Sequence, residues 1–200
     1  KKYRFTDGGN LENYGLITLL QRGVKQVVVF INTNTPITIN LDPSENCPPL
    51  PNQIDSDLFP LFGYKYGNLI HNQVFSKSDF KVVYDGLSNA KKQGKTVMTK
   101  THLKTVYNPH WGIKAGHEVE ILWVYNETVP EWQNQLPDPV KHEICLGPKG
   151  EFVDFPLYKL IAENGITKGI SLTKPQVNLI YQLSAWNVYS NKDDFDFLKN

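Results

Sequence analysis

Phe5-Thr6-Asp7-Gly8-Gly9-Asn10-Leu11-Glu12-Asn13 runs from extended apolar residues through an acid and two glycines into an acid–Asn pair. Tyr3 to Thr6 reads as a short strand and Asp7 to Asn10 as a turn. Asn13 then stands where a helix N-cap belongs, and Leu16, Ile17, Leu19 and Leu20 follow at helical spacing. Arg22 in the last turn and Gly23 just beyond it mark the helix end. Lys25 to Ile31 (KQVVVFI) is β-branched and nearly continuous, the pattern of a buried parallel strand. Strand, helix and strand in this order make a βαβ unit. Asp7 then lies at the carboxyl end of its strand, where open α/β sheets place their sites. Gly8 and Gly9 allow a turn tight enough to leave that carboxylate open. Asp and Gly also dominate ordinary turns for local reasons, so on its own residues the motif has two readings.

The totals set the frame. With 200 residues, 40% of them hydrophobic and 20% charged, the chain is long enough for one domain with a sizeable core. A formal net charge of +1 gives no field that would draw nucleic acid or an anionic membrane. The densest basic cluster, Lys91-Lys92 with Lys95, reads as a solvated helix end. No apolar run approaches the ~20 residues that span a bilayer. Cys47 and Cys145 are either one disulfide or two buried thiols, and neither a disulfide framework nor a Cys-x-x-Cys motif is present. Asn126-Glu127-Thr128 is a glycosylation sequon of the kind that recurs by chance. Lys1 to Phe5 has no apolar segment behind it and is no signal peptide, so the abrupt start reads as the second part of something longer.

Past the opening unit, residues 32–59 form a Pro/Asn/Asp-rich connection, a length that suits a lid or binding loop. Leu58, Phe59, Leu61, Phe62, Tyr64, Tyr66, Leu69 and Ile70 form an aromatic-rich segment, either a core wall or an apolar ligand's lining. Ser78 is placed to cap a helix carrying Phe80, Val83, Tyr84 and Leu87, with Gly94 at its end. Thr96–Tyr107 and Glu118–Tyr125 read as strands of an antiparallel hairpin. Short helices are expected over Glu131–Leu136, Pro139–Cys145 and Pro156–Asn164. The last helix opens on a capping box, Thr173-x-x-Gln176. Val177, Ile180, Tyr181, Ser184 and Val188 form one stripe with Leu183 beside it, and Leu179 and Trp186 broaden that apolar surface, so the helix is expected to be well buried.

Most chemistries find no carrier. Gly86-Leu87-Ser88-Asn89-Ala90 and Gly169-Ile170-Ser171-Leu172-Thr173 each lack the last glycine of a nucleophile elbow, and structural roles suit both serines better. No P-loop is present. His102, His110 and His117 lie about eight residues apart, without the tight pairing of a metal site, and His142 beside Glu143 reads as a helix surface pair. No metal or cofactor is expected, and nucleic-acid signatures are absent.

Asp7-Gly8-Gly9-Asn10-Leu11-Glu12-Asn13, the helix ending at Arg22-Gly23 and the strand Val27-Val28-Val29-Phe30 together resemble the second catalytic block of the patatin and cytosolic phospholipase A2 superfamily. The similarity covers residues 3–31 and lies closer to the eukaryotic phospholipase and lysophospholipase branch than to the short patatins. It implies an acyl hydrolase with a Ser-Asp dyad, in which Asp7 takes the proton of a nucleophilic serine and Gly8, Gly9 and Asn13 shape the turn. The expected architecture is α/β: part of a three-layer sandwich with a mostly parallel core sheet, an added antiparallel hairpin and C-terminal helices. Residues 1–200 would be the C-terminal part of one such domain. The chain departs from the family in lacking the nucleophile elbow and the Gly-rich oxyanion loop, which precede Asp-Gly-Gly. Three explanations stay open: a processed chain whose partner, an N-terminal chain or segment, carries the serine; a fragment; or a degenerate relative kept for lipid binding or storage. The implied substrate is a lipid ester, met in transient contact with a membrane surface. A lipid acyltransferase would use the same site. Residues 32–59 and the aromatic segment to Ile70 are the candidate acyl-chain site. The compartment stays open among cytoplasm, secretion and lysosome.

Overall fold

The computed structural model describes residues 12–44, 47–67, 69–158 and 171–199, and the backbone of 161–163 and 166–168. Three strands make the main sheet: β1 (Gln26–Ile31), β2 (Met98–Lys104) and β3 (Glu118–Tyr125), in the order β1-β3-β2. β1 runs parallel to β3, with Val27 opposite Ile121 and Val29 opposite Trp123. β2 pairs antiparallel to β3 and sets Thr101 opposite Ile121. The described sheet is therefore mixed, and the expected hairpin is built into it as β2 and β3.

Because successive side chains of a strand point to opposite faces, this register sorts the apolar residues into two layers. Val119, Ile121, Trp123 and Tyr125 share one face with Val27, Val29 and Ile31, and all seven are buried. Against them pack Leu16, Ile17 and Leu20 of α1 (Leu16–Gln21) and Phe80, Val83, Tyr84 and Leu87 of α2 (Lys77–Lys92). The 3-10 helix Ser56–Phe62 completes this layer, with Leu58 through Phe62 all buried. The aromatic-rich segment is thus a core wall as far as Tyr64, whereas Ile70 is exposed. On the opposite face Leu122 and Val124 meet Val28, Met98, Phe195 and Phe197.

α2 forms where its apolar spacing predicts, but its cap is Ser76 and not Ser78. Ser76 Oγ accepts from the Asp79 amide at 3.3 Å, and Asp79 Oδ2 accepts from the Ser76 amide at 3.1 Å, a reciprocal box that satisfies two donors at the helix start. Gly94, at φ 70, lets the chain leave the helix. Gly86 lets α2 lie close on β2: a Cβ there would stand 2.1 Å from Thr99 Oγ1.

The C-terminal part holds α3 (Pro130–Gln133), α4 (Asp138–Cys145), α5 (Lys174–Tyr189) and α6 (Lys192–Phe195). The helix expected over Pro156–Asn164 is absent from its described residues. Asp154 is left-handed at φ 62, the Leu157 amide closes a turn onto Asp154 O at 2.6 Å, and Ile161–Glu163 (β4) pairs antiparallel with Ile166–Lys168 (β5). α5 carries its expected capping box, with Thr173 N donating to Gln176 Oε1 at 2.9 Å. Its inward face, however, is Gln176, Leu179, Leu183 and Asn187, while Val177, Tyr181, Ser184 and Val188 are exposed. Two buried amides decide this rotation: Gln176 Nε2 donates to Glu151 O at 2.9 Å, and Asn187 Oδ1 accepts from Thr96 Oγ1 at 3.0 Å. Leu179 and Leu183 pack on the same face into the cluster of Trp132, Phe152 and Phe155, which leaves Val177, Tyr181 and Val188 outside. Cys47 and Cys145 are both free and both exposed, so neither of their two expected states holds.

Candidate functional site

Asp7, Gly8 and Gly9 lie outside the described residues, as does the strand expected over Tyr3–Thr6. Residues 12–15, which lead into α1, are described, and they are tied through Asp55 to the carboxyl end of β3. Asn13 is not the helix cap. Its Nδ2 donates to Asp57 Oδ2 at 2.5 Å, which ties the lead-in to the start of the 3-10 helix. Gly15, at φ 71, holds the N-cap position without a side-chain bond, and Glu12 bonds the helix start instead. Its carboxylate accepts from the Tyr14 amide at 2.5 Å and the Ile17 amide at 3.3 Å. Burial pushes the Glu12 carboxyl above its ordinary value, and those amides pull in the other direction.

From Tyr14 a chain of bonds crosses the strand end. Tyr14 Oη donates to Asp55 Oδ1 at 3.0 Å, the Asp55 amide donates to Tyr125 Oη at 2.8 Å, and Tyr125 Oη donates to Thr35 O at 2.6 Å. Burial raises both phenols above their ordinary range; the Asp55 carboxylate adds to the rise at each, while at Tyr125 Thr33 and the Asp55 amide pull in the other direction. The bonds tie the α1 lead-in, the long connection and the end of β3 together.

The long connection proves to be an anchored part of the core. Ile37 is buried, its amide donates to Glu127 Oε2 at 3.0 Å, and Tyr84 Oη donates to Thr38 O at 2.6 Å. Glu127 in turn receives Lys91 Nζ at 2.6 Å. Lys91 is accordingly part of a buried ion pair, a role its position in a basic cluster did not suggest. Glu127 went unnoticed too, because the only signal at that position was the sequon. Within that sequon, Asn126 Nδ2 donates to Pro156 O at 2.5 Å and Glu127 is buried, so Asn126-Glu127-Thr128 works as a structural joint.

The remaining candidates are dispersed. Ser88 is buried inside α2 with no hydrogen-bond partner for its hydroxyl, and Ser171 is exposed ahead of α5. His102 faces Glu120 at 3.5 Å, His110 stacks on His71 with ring centres 4.7 Å apart, and His117 Nε2 lies 3.1 Å from Val24 O. Among the described residues no three His, Cys, Asp or Glu side chains gather as metal ligands, and no helix is long and apolar enough to cross a membrane.

A groove of about 310 Å³ opens on the second face of the sheet, between the carboxyl ends of β1 and β3 and the α5 helix. Phe30, Val124, Leu172 and Ile180 form its apolar walls, and Ile31, whose side chain belongs to the first face, lies at its edge. Tyr158 borders it, with its hydroxyl pushed up to about 12 by burial, Asp154 adding to the shift. None of these residues stood among the sequence candidates, and no local pattern joins segments so far apart in the chain. Comparison with protein-family models, with curated proteins and with solved structures finds nothing that matches this chain.

Proposed function

We propose that this chain supplies the aspartate of a Ser-Asp lipid acyl hydrolase of the phospholipase or lysophospholipase kind, with the serine and oxyanion loop brought by an N-terminal chain or segment. The observation that carries the reading is the ordered block Asp7-Gly8-Gly9, helix, Arg-Gly stop and core strand. Its described parts support it: α1 spans Leu16–Gln21, Gly23 turns at φ 69, and β1 follows in parallel pairing with β3. The proposal extends to the architecture, a three-layer α/β sandwich with a mostly parallel sheet, of which the described strands are a part.

The chemistry asks for one base. A serine hydroxyl attacks an ester carbonyl only when a group within hydrogen-bond reach takes its proton. Asp7 would take that proton and return it to the departing alcohol, leaving an acyl-serine. A water, deprotonated by the same carboxylate, would then release the fatty acid. A free carboxylate, with a pKa of ~3.9, is a weak base at neutral pH, so it works only when held in place and shielded from bulk water.

The test is a fluorophosphonate probe together with lysophospholipid hydrolysis, on the assembled protein. The probe should label the partner serine and leave residues 1–200 unlabelled. Asp7→Asn should lower kcat by about 10²–10⁴-fold with little change in KM. Undiminished turnover in Asp7→Asn would remove Asp7 as the base.

A further inference from the structure

The groove behind β1 and β3 points to a class of ligand by what its walls lack. Among the described residues none of its lining side chains is charged. Its polar rim is bonded inward at Asn126 and Ser184, while Tyr158 Oη is buried with no hydrogen-bond partner. Asn126 Nδ2 donates to Pro156 O and, at 3.4 Å, to Asn32 Oδ1; Ser184 Oγ donates to Ile180 O at 2.8 Å. A phosphate, carboxylate or ammonium placed here would lose water and gain no counter-charge from the described residues. An alkyl chain gives up no hydrogen bond to water on entry and removes apolar wall from water. At ~30 Å³ for each water-sized group, a volume of about 310 Å³ holds roughly ten methylene-sized units. The position also suits a substrate group, because open α/β sheets receive ligands beyond the carboxyl ends of their strands. Of the segments that the sequence offered for this role, Ile37, Ile54, Leu58, Phe59, Leu61 and Phe62 are buried in the core, while Ile39, Leu50 and Ile70 are exposed.

We infer that the groove binds one uncharged alkyl chain of medium length, about eight to ten carbons. Resting on the function proposed above, this chain is the acyl group of the ester. Any charged head of the lipid then stays outside the groove.

The test uses 1-decanol as the probe and methyl-labelled protein observed by NMR. Saturable shifts, with intermolecular NOEs, are expected at the methyl groups of Val124, Leu172 and Ile180. Ser184→Phe and Asn32→Phe both place a ring at the groove from exposed positions, so their folds should survive, and each should weaken decanol binding by about tenfold or more. Shifts that never saturate, shifts confined to other methyls, or unchanged affinity in both variants would overturn the assignment. Decanol binding needs neither the serine nor Asp7, so the two proposals fail separately. Loss of groove binding with Asp7-dependent labelling intact overturns the groove alone. Decanol binding without Asp7-dependent labelling leaves the groove standing and removes the hydrolase.

Discussion

Lys91→Met tests the joint between the long connection and the sheet. Glu127 is 2% exposed, and Lys91 Nζ sits 2.6 Å from its Oε2. The same ammonium donates to Ile37 O at 2.8 Å. Methionine keeps most of the lysine stem and removes the cation, so the carboxylate remains buried with only the Ile37 amide, the Thr128 amide and the Thr128 hydroxyl as donors. Leaving one member of a buried pair uncompensated costs ~3–5 kcal/mol. Lys91 itself is 24% exposed, so water can enter on its side, and about 3 kcal/mol is the expected loss. For a chain of this length that corresponds to a fall in Tm of roughly 6–12 °C. Urea unfolding should show a lower midpoint at unchanged m. Adding Glu127→Gln removes the stranded charge and keeps an acceptor for the Ile37 amide. The double variant should therefore recover about 1–2 kcal/mol against the sum of the singles. A loss below about 1 kcal/mol for Lys91→Met, or strict additivity, would mean that the pair is solvated and does not hold the connection.

Ser76→Ala should cost about 1 kcal/mol in urea unfolding, whereas Ser78→Ala should stay within about 0.5 kcal/mol; the reverse order would return the cap of α2 to Ser78. Glu12→Gln should show a pH-dependent difference from wild type. The folded carboxyl is raised above its ordinary 4.5, so folding favours the protonated acid. Wild type then has its advantage below that ordinary value and loses it as pH rises through the folded one. Paired unfolding curves at acid and neutral pH should drift in favour of Gln, and a drift toward wild type would show that the Tyr14 and Ile17 amides outweigh burial.

What could be read in the sequence was what neighbours in sequence decide. α2 was legible because Phe80, Val83, Tyr84 and Leu87 recur at helical spacing, and even there Ser76 and Ser78 compete as caps two residues apart. β3 was legible from alternation, and the hairpin from the two strands facing each other. The face of α5 was legible only in part: Leu179 and Leu183 belong to its expected apolar surface, but Gln176 and Asn187 are buried by partners at Glu151 and Thr96, which no periodicity reveals. The connection over residues 32–59 looked like a lid for the same reason: its anchors at Tyr84, Tyr125 and Glu127 belong to other elements. For the candidate site, the Asp-Gly-Gly block is a sequence object and was readable as one. The groove is assembled from β1, β3, α5 and the segments before it, and exists only once they meet.

Those distant anchors also set a clock. The Ile37 amide waits for Glu127, 90 residues on, and the Asp55 amide waits for Tyr125, 70 residues on. At about 5–20 residues per second of synthesis, the wait for Glu127 is roughly 5–18 s. Once made, Leu58, Phe59, Leu61 and Phe62, all destined for the interior, have no β3 to pack against until residues 118–125 follow. The growing chain therefore carries this apolar cluster uncovered until its central strand emerges.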